Sequence, residues 1–380
     1  MKKFLLFIIS FFVTYSFGQT ESSRNLKLLF EQNKYDEIIN YQPKDNQQLS
    51  AEELFYKGKA FYMMSADEQA NQYFEQAIEK GPVFGSMYFY KALILLYTNK
   101  YNESLSIFDK AIALSPTESD FYAGKAEAFS ALKKTDSAQV YFEKATQLPF
   151  CKPRAFVMLG QIYQGQNKYE QALASYQQAL NQLSENDEMY QNTSFNLGLT
   201  QQLSGKIDDS RKTFEKHTML YPTDYQAVAK MIQVYYALQQ FENAAPLKKK
   251  LYAAHQAKQL SADMEKQFCF DQFMWNGKRV MAFEKFAEPD DFLFAKHHFY
   301  VMTDNNNNID YQIDSESSAT IRMSNSKNKY VLCLVKNQKH HTYWQYVFND
   351  DYQYPDLKAA VLNILNGNAK PSASFIPASK

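Results

Sequence analysis

The 380-residue chain is predicted to be an all-α array of helix pairs followed by a small α+β domain, an antiparallel β meander with a C-terminal helix. Three observations predict it. Small and aromatic residues recur at a fixed 34-residue spacing through the first two thirds of the chain. Near residue 262 the hydrophobic period changes from helical to alternating. Beyond the alternating segments, Pro355 and Gly367 bracket a last amphipathic stretch.

From residue 51 the register reads Leu54, Gly58, Phe61, Ala70, Phe74, Ala77, Pro82. One period on it reads Tyr88, Ala92, Leu95, Ser104, Phe108, Ala111, Pro116, and then Tyr122, Ala126, Phe129, Ala138, Phe142, Ala145, with Pro149 one residue early. A fourth copy gives Phe156, Gly160, Tyr163, Ala172, Tyr176, Ala179. Two helices approach closely only where one lacks bulk, so the small residues make room for the aromatics. Asn99-Lys100-Tyr101 and Asn167-Lys168-Tyr169 mark the same turn in their copies, and Gly205-Lys206-Ile207 marks it in a later one. Unrelated amphipathic helices would share a 3.6-residue period but would have no cause to hold a longer one.

This pattern resembles the tetratricopeptide repeat (TPR), a pair of antiparallel helices carrying a bulky residue, a small one, an aromatic, then Ala, Phe, Ala and Pro at these offsets. The resemblance implies a TPR solenoid over residues 51–260, preceded by a degenerate N-terminal helical repeat over 19–50, where Leu26 to Phe30 and Asn33-Lys34-Tyr35 keep part of the pattern. Leu197, Gly198, Phe214 and Pro222 continue it after four extra residues around Glu185 to Glu188, with His217 where Ala is usual. Residues 225–257 form a seventh pair with Pro246 inside its second helix. Atypical end units are expected, because a terminal unit has one unpaired face.

Residues 1–18 read as a signal peptide: Lys2-Lys3, an apolar run from Phe4 to Val13, then Ser16 and Gly18 before a cut at Gln19. The run is shorter than the roughly 20 apolar residues a membrane span needs. A periplasmic or secreted protein is expected. With 41 basic and 41 acidic residues the chain is neutral, and losing Lys2 and Lys3 leaves 39 against 41. That balance excludes the basic footprint of a nucleic-acid binder. Three cysteines are too few for a disulfide framework, although Cys269 and Cys333 both lie in strand-like segments where a bridge could form.

The antiparallel β-rich domain is expected over 262–367. Phe268 to Trp275, Asn276-Gly277 and Lys278 to Phe286 spell a hairpin, since Asn-Gly supplies the positive φ angles of a type I′ turn. Leu293 to Thr303, Ile309 to Ile313, the Ile321 and Met323 pair, Tyr330 to Leu334 and Trp344 to Phe348 follow as strands. Leu357, Val361, Ile364 and Leu365 share one face of the closing helix. Residues 368–380, with Pro371 and Pro377, are expected to be a flexible tail.

No nucleophile elbow, phosphate loop, His-Glu-x-x-His or Cys-x-x-Cys occurs, so no catalytic residue, cofactor or metal site is expected. His297-His298 and His340-His341 could contribute at most one ligand per strand, because neighbours on a strand face opposite ways. The resemblance instead implies a partner-binding groove lined by the first helix of each pair. Its candidate residues are Phe55, Lys59, Tyr62, Phe89, Leu93, Phe195 and Leu199, with Phe55, Tyr62, Phe89 and Leu93 forming one apolar strip. The Lys, Asn and Arg set with which the family clamps a terminal carboxylate is absent. The expected function is a non-enzymatic interaction scaffold holding a protein or peptide segment of the cell envelope. The alternatives are an enzymatic or ligand-binding β-domain with the repeats as a docking handle and, for the strip, packing on the chain's own ends.

Overall fold

Among the described residues fourteen helices precede the first strand, beginning with the pairs α1 (Glu21–Glu31) with α2 (Tyr35–Asn40), α3 (Ala51–Met63) with α4 (Asp67–Lys80), α5 (Gly85–Tyr97) with α6 (Tyr101–Leu114), and α7 (Ser119–Ala131) with α8 (Thr135–Gln147). In order there follow α9 (Pro153–Gly165) and α10 (Tyr169–Leu180), then the pairs α11 (Glu188–Leu203) with α12 (Ile207–Leu220) and α13 (Tyr225–Ala237) with α14 (Phe241–Gln256). The computed structural model describes residues 21–43, 48–286, 296–302, 308–318, 330–337, 342–349, 356–370 and 373–375. The chain divides into two compact units, residues 1–162 and 163–380. The expected signal peptide lies outside the described residues.

Every pair closes through one turn. Asn33, Ser65, Asn99, Lys133, Asn167, Gly205 and Gln239 each have a left-handed φ between 57° and 79°. The next N–H in each case bonds back five residues, as Lys100 does to the Leu95 carbonyl at 2.8 Å and Gln240 to that of Tyr235 at 2.8 Å. This is the Schellman closure, which satisfies helix-end carbonyls and reverses the chain. The Asn-Lys-Tyr signature has its own bond: the Tyr35, Tyr101 and Tyr169 hydroxyls donate to Asn33, Asn99 and Asn167 Oδ1 at 2.7, 2.6 and 2.8 Å. The first and last pairs close through the same turn as the rest. Helix α3 opens with a full capping box, Ser50 and Glu53 each holding the other's backbone N–H.

Within each pair the small residues do what their spacing implies. Phe74, Phe108, Phe142, Tyr176 and Phe214 are fully buried, as are Ala70, Ala77, Ala111, Ala138 and Ala145. A Cβ on Gly58 would lie 2.6 Å from the Phe74 ring, and one on Gly198 2.9 Å from that of Phe214. In the second unit the four extra residues fall in the connection from α10 to the longer helix α11.

The sheet is a pure antiparallel meander ordered β1 (Gln267–Trp275), β2 (Lys278–Lys285), β3 (Lys296–Met302), β4 (Ile309–Ser318), β5 (Tyr330–Asn337), β6 (Thr342–Asn349) and β7 (Ala373–Phe375). Asn276 and Gly277, at φ 45° and 75°, turn β1 into β2 with Trp275 opposite Lys278. The alternation at Ile321 and Met323 lies outside the described residues. One expectation is corrected: part of the segment read as a flexible tail is strand β7, whose Ser374 pairs with Trp344 of β6. Backbone pairing along an edge needs no long apolar pattern, which is why it left no signal.

One face of the sheet, carrying Phe268, Phe270, Val280, Ala282, Phe299, Val301 and Ile313, is buried in the same core as Val228, Ile232 and Leu251 of α13 and α14. Leu357, Val361 and Ile364 of α15 (Asp356–Leu365) close that core. Ion pairs bind the layers: Lys358 on α15 reaches buried Asp271 at 2.9 Å, and Lys248 on α14 pairs with Glu284. The change of period at residue 262 therefore marks a change of secondary structure inside one continuous core.

Candidate binding groove

In the first unit the groove positions of α3, α5, α7 and α9 bring aromatic rings and charges together. The Lys59 ammonium stands 3.8 Å from the centre of the Phe30 ring, 5.3 Å from that of Tyr90, 5.5 Å from Tyr56 and 5.6 Å from Phe55. Rings attract a cation through their negative faces. Burial nevertheless pushes the Lys59 amine down to about 8 and the Tyr56 and Tyr90 hydroxyls up to about 12, and it raises Tyr62 as well. Tyr62 meets Tyr90 edge-on at 5.4 Å, and Tyr97, 58% exposed, extends the wall. Further along, Lys152 pairs with Asp120 at 2.5 Å, and Arg154 holds both carboxylate oxygens of Glu127 at 2.6 and 3.3 Å.

The expected apolar strip is partly corrected. Phe55 is only 5% exposed, because Phe84 meets its ring at 4.8 Å and Tyr90 at 5.9 Å, so it belongs to the core. Phe89 is half-buried, stacked on Phe121 at 4.9 Å and touching Phe108, and Leu93 packs on the same cluster. Each aromatic of one pair leans on the next, which is how a repeat buries a face it cannot bury alone. Tyr62, Lys59, Tyr90 and Tyr97 carry the accessible part.

In the second unit Phe195 lies edge-on to Phe214 at 5.8 Å, and Leu199 packs on the core shared with the sheet. The equivalent face of α13 is covered by β1. Gln233 donates to the Cys269 carbonyl at 2.9 Å, and Tyr236 meets Phe270 edge-on at 5.1 Å. Phe195 and Leu199 are half-buried and lean on that core.

His217, at the position where Ala is usual, has partners that sequence did not reveal. Its Nδ1 lies 2.8 Å from Ser194 Oγ and its Nε2 3.1 Å from Asp224, whose other oxygen accepts the Ala227 N–H at the start of α13. The imidazole is 1% exposed and links α11, α12 and α13. This Ser-His-Asp arrangement adjoins a cavity of about 450 Å³ lined by Leu180, Tyr190 and Lys216. Ser194 sits inside α11, where the backbone N–H groups are committed to the helix and offer no oxyanion donor. The arrangement is a joint between helices.

Cys151 and Cys269 are free thiols, and burial raises the thiol of Cys269 to about 12, leaving it inert. The side chains of Cys333, His297, His340 and His341 lie outside the described residues. Among the described residues no group of three metal-binding side chains gathers, and no helix is long and apolar enough to cross a membrane.

Models of the tetratricopeptide repeat match residues 68–119, 119–149 and 153–186. The chain carries tetratricopeptide repeats over residues 68–186. Proteins of this kind are interaction scaffolds. A curated relative, the BBSome complex member BBS4 homolog of Drosophila melanogaster, is 24% identical over 180 residues, 47% of this chain and 36% of the relative. The chain thus spans about a third of that protein's length. Among solved structures, YrrB, described as a TPR protein with an unusual peptide-binding site, is 22% identical across 49% of this chain and 98% of its own, with a TM-score of 0.42. The C-terminal part of a TPR repeat-containing protein from Cytophaga hutchinsonii is 17% identical across 62% of this chain and 93% of its own, with a TM-score of 0.45.

Proposed function

We propose that this is an exported, non-enzymatic scaffold whose first-unit groove holds a segment of a cell-envelope protein. The observation that carries the reading is the tyrosine wall around Lys59: Tyr62 and Tyr90 are half-buried and Tyr97 is largely exposed on neighbouring first helices. Aromatic residues in a concave surface are the usual anchors of a protein contact. The signal-like first residues supply the export half of the reading. Replacing Tyr62 and Tyr97 together by Ala tests it. The change should abolish capture of a partner from envelope extract while melting stays within a few degrees of the parent, and undiminished capture would reject the groove.

A further inference from the structure

Two pairs of charged side chains along the first-unit groove neutralise each other, and Lys59 differs from them. Asp120 is matched by Lys152, and Glu127 by the two-pronged grip of Arg154. Lys59 has only rings. Four aromatic side chains surround its ammonium, and among the described residues no carboxylate or hydrogen-bond acceptor reaches it. Glu31 on α1 acts on it only through space, opposed there by Lys27 and Lys152, and the hydroxyls of Tyr56 and Tyr90 stay protonated. An ammonium taken out of water without a counter-ion is costly, because ring faces return only part of its lost hydration.

We infer that Lys59 is the specificity subsite of the groove, receiving an internal Asp or Glu side chain of the partner segment while Phe30, Tyr62 and Tyr90 receive the apolar residues beside it. This deepens the scaffold reading and rests on it. Charge complementarity identifies the occupant: among the described residues no acceptor meets the Lys59 ammonium, so the incoming segment supplies a carboxylate there. A side-chain carboxylate fits better than a chain terminus. A terminus is held through both oxygens by several donors, as an arginine fork or an amide set provides. Lys59 is a single point charge walled by hydrocarbon. The rings also exclude water around the pair once it forms, and an ion pair strengthens as the local dielectric falls.

The experiment uses the full mature chain and capped decapeptides, acetylated and amidated so that neither end is charged. One carries a single Glu between two Phe in a Ser and Gly background. A second has Gln for that Glu, and a third has the Glu without Phe. A fourth carries Gln with a free C-terminus. Binding is followed by fluorescence anisotropy. The Glu peptide should bind, with the Gln and Phe-less peptides each roughly tenfold weaker or worse. Lys59→Met should erase the preference of Glu over Gln while keeping the affinity for the Gln peptide, and Lys59→Arg should restore much of it. Retained affinity for the Gln peptide shows that Lys59→Met still folds. Equal binding of Glu and Gln peptides, or a preference surviving in Lys59→Met, overturns the inference. So does tighter binding of the free-terminus peptide, in favour of a terminal carboxylate. If no peptide binds, the inference fails while partner capture through Tyr62 and Tyr97 still decides the scaffold reading.

Discussion

Phe108 and Gly124 offer the sharpest test of how this array holds together. Phe108 is fully buried, and a Cβ built on Gly124 of the next helix pair would lie 2.6 Å from its Cε1 and 2.7 Å from its Cζ. Phe108→Ala should cost about 3 to 5 kcal/mol through lost transfer and cavity formation. Gly124→Ala alone forces the ring to move, costing about 1 to 3 kcal/mol of overpacking, from which up to about 1 kcal/mol of helix propensity is recovered. Combined with Phe108→Ala, the added methyl enters the space the ring has left, so Gly124→Ala should turn neutral or stabilising. The expected coupling is about 1 to 3 kcal/mol. Urea denaturation followed by circular dichroism measures it, supplemented by hydrogen exchange at α6 and α7, because repeat arrays need not unfold in one step. If Gly124→Ala costs the same in both backgrounds, the ring does not occupy the space beside Gly124 and the packing argument is wrong.

Other outcomes follow from the same reasoning. Lys358→Met removes the ammonium beside an Asp271 that is 1% exposed, and should cost about 3 to 5 kcal/mol, seen as a lower denaturant midpoint for the β-rich part. His217→Ala leaves Ser194 and Asp224 without the imidazole between them and should cost about 1 to 3 kcal/mol, with hydrogen exchange quickening first at α13. For Lys59 the sign is that of a group whose folded pKa is depressed: the fold favours the neutral amine, so the penalty for burying its charge is complete below about 8 and fades as pH rises toward the lysine value of 10.5. The stability difference between Lys59→Met and the parent should therefore narrow between those values in urea titrations at stepped pH. Exported protein should begin at or near Gln19 by N-terminal sequencing, and an intact Met1 would contradict the signal-peptide reading.

The repeats were legible because packing and turn chemistry repeat together: Ala70, Phe74 and Ala77 set the contact, and the residue after each first helix sets the reversal. The hairpin at Asn276-Gly277 was legible for a similar local reason, since few residues accept both positive φ angles. What sequence could not give was burial decided by neighbours. Phe55 occupies a groove position by spacing but is closed over by Phe84 and Tyr90, which arrive from the next pair. Phe195 and Leu199, half-buried, lean on the core shared with the sheet, a contact that spacing does not record. His217 finds Ser194 and Asp224 at separations of 23 and 7 residues, which no local pattern records. Strand β7 was missed because three residues of edge pairing carry no periodicity. Lys59 was chosen by position alone. Its ring of aromatics draws on three different helices, α1, α3 and α5.

The central claim is that a partner lies in the groove of the first unit, and a photo-crosslinking residue placed at Tyr62, with a control at Phe150, measures this most directly. Tyr62 faces the groove beside Tyr90, while Phe150 is 98% exposed in a turn between pairs. Irradiation in envelope extract should give one dominant adduct from position 62 and none from position 150, and Lys59→Met should reduce it. Adducts from position 150 with none from position 62 would contradict the account.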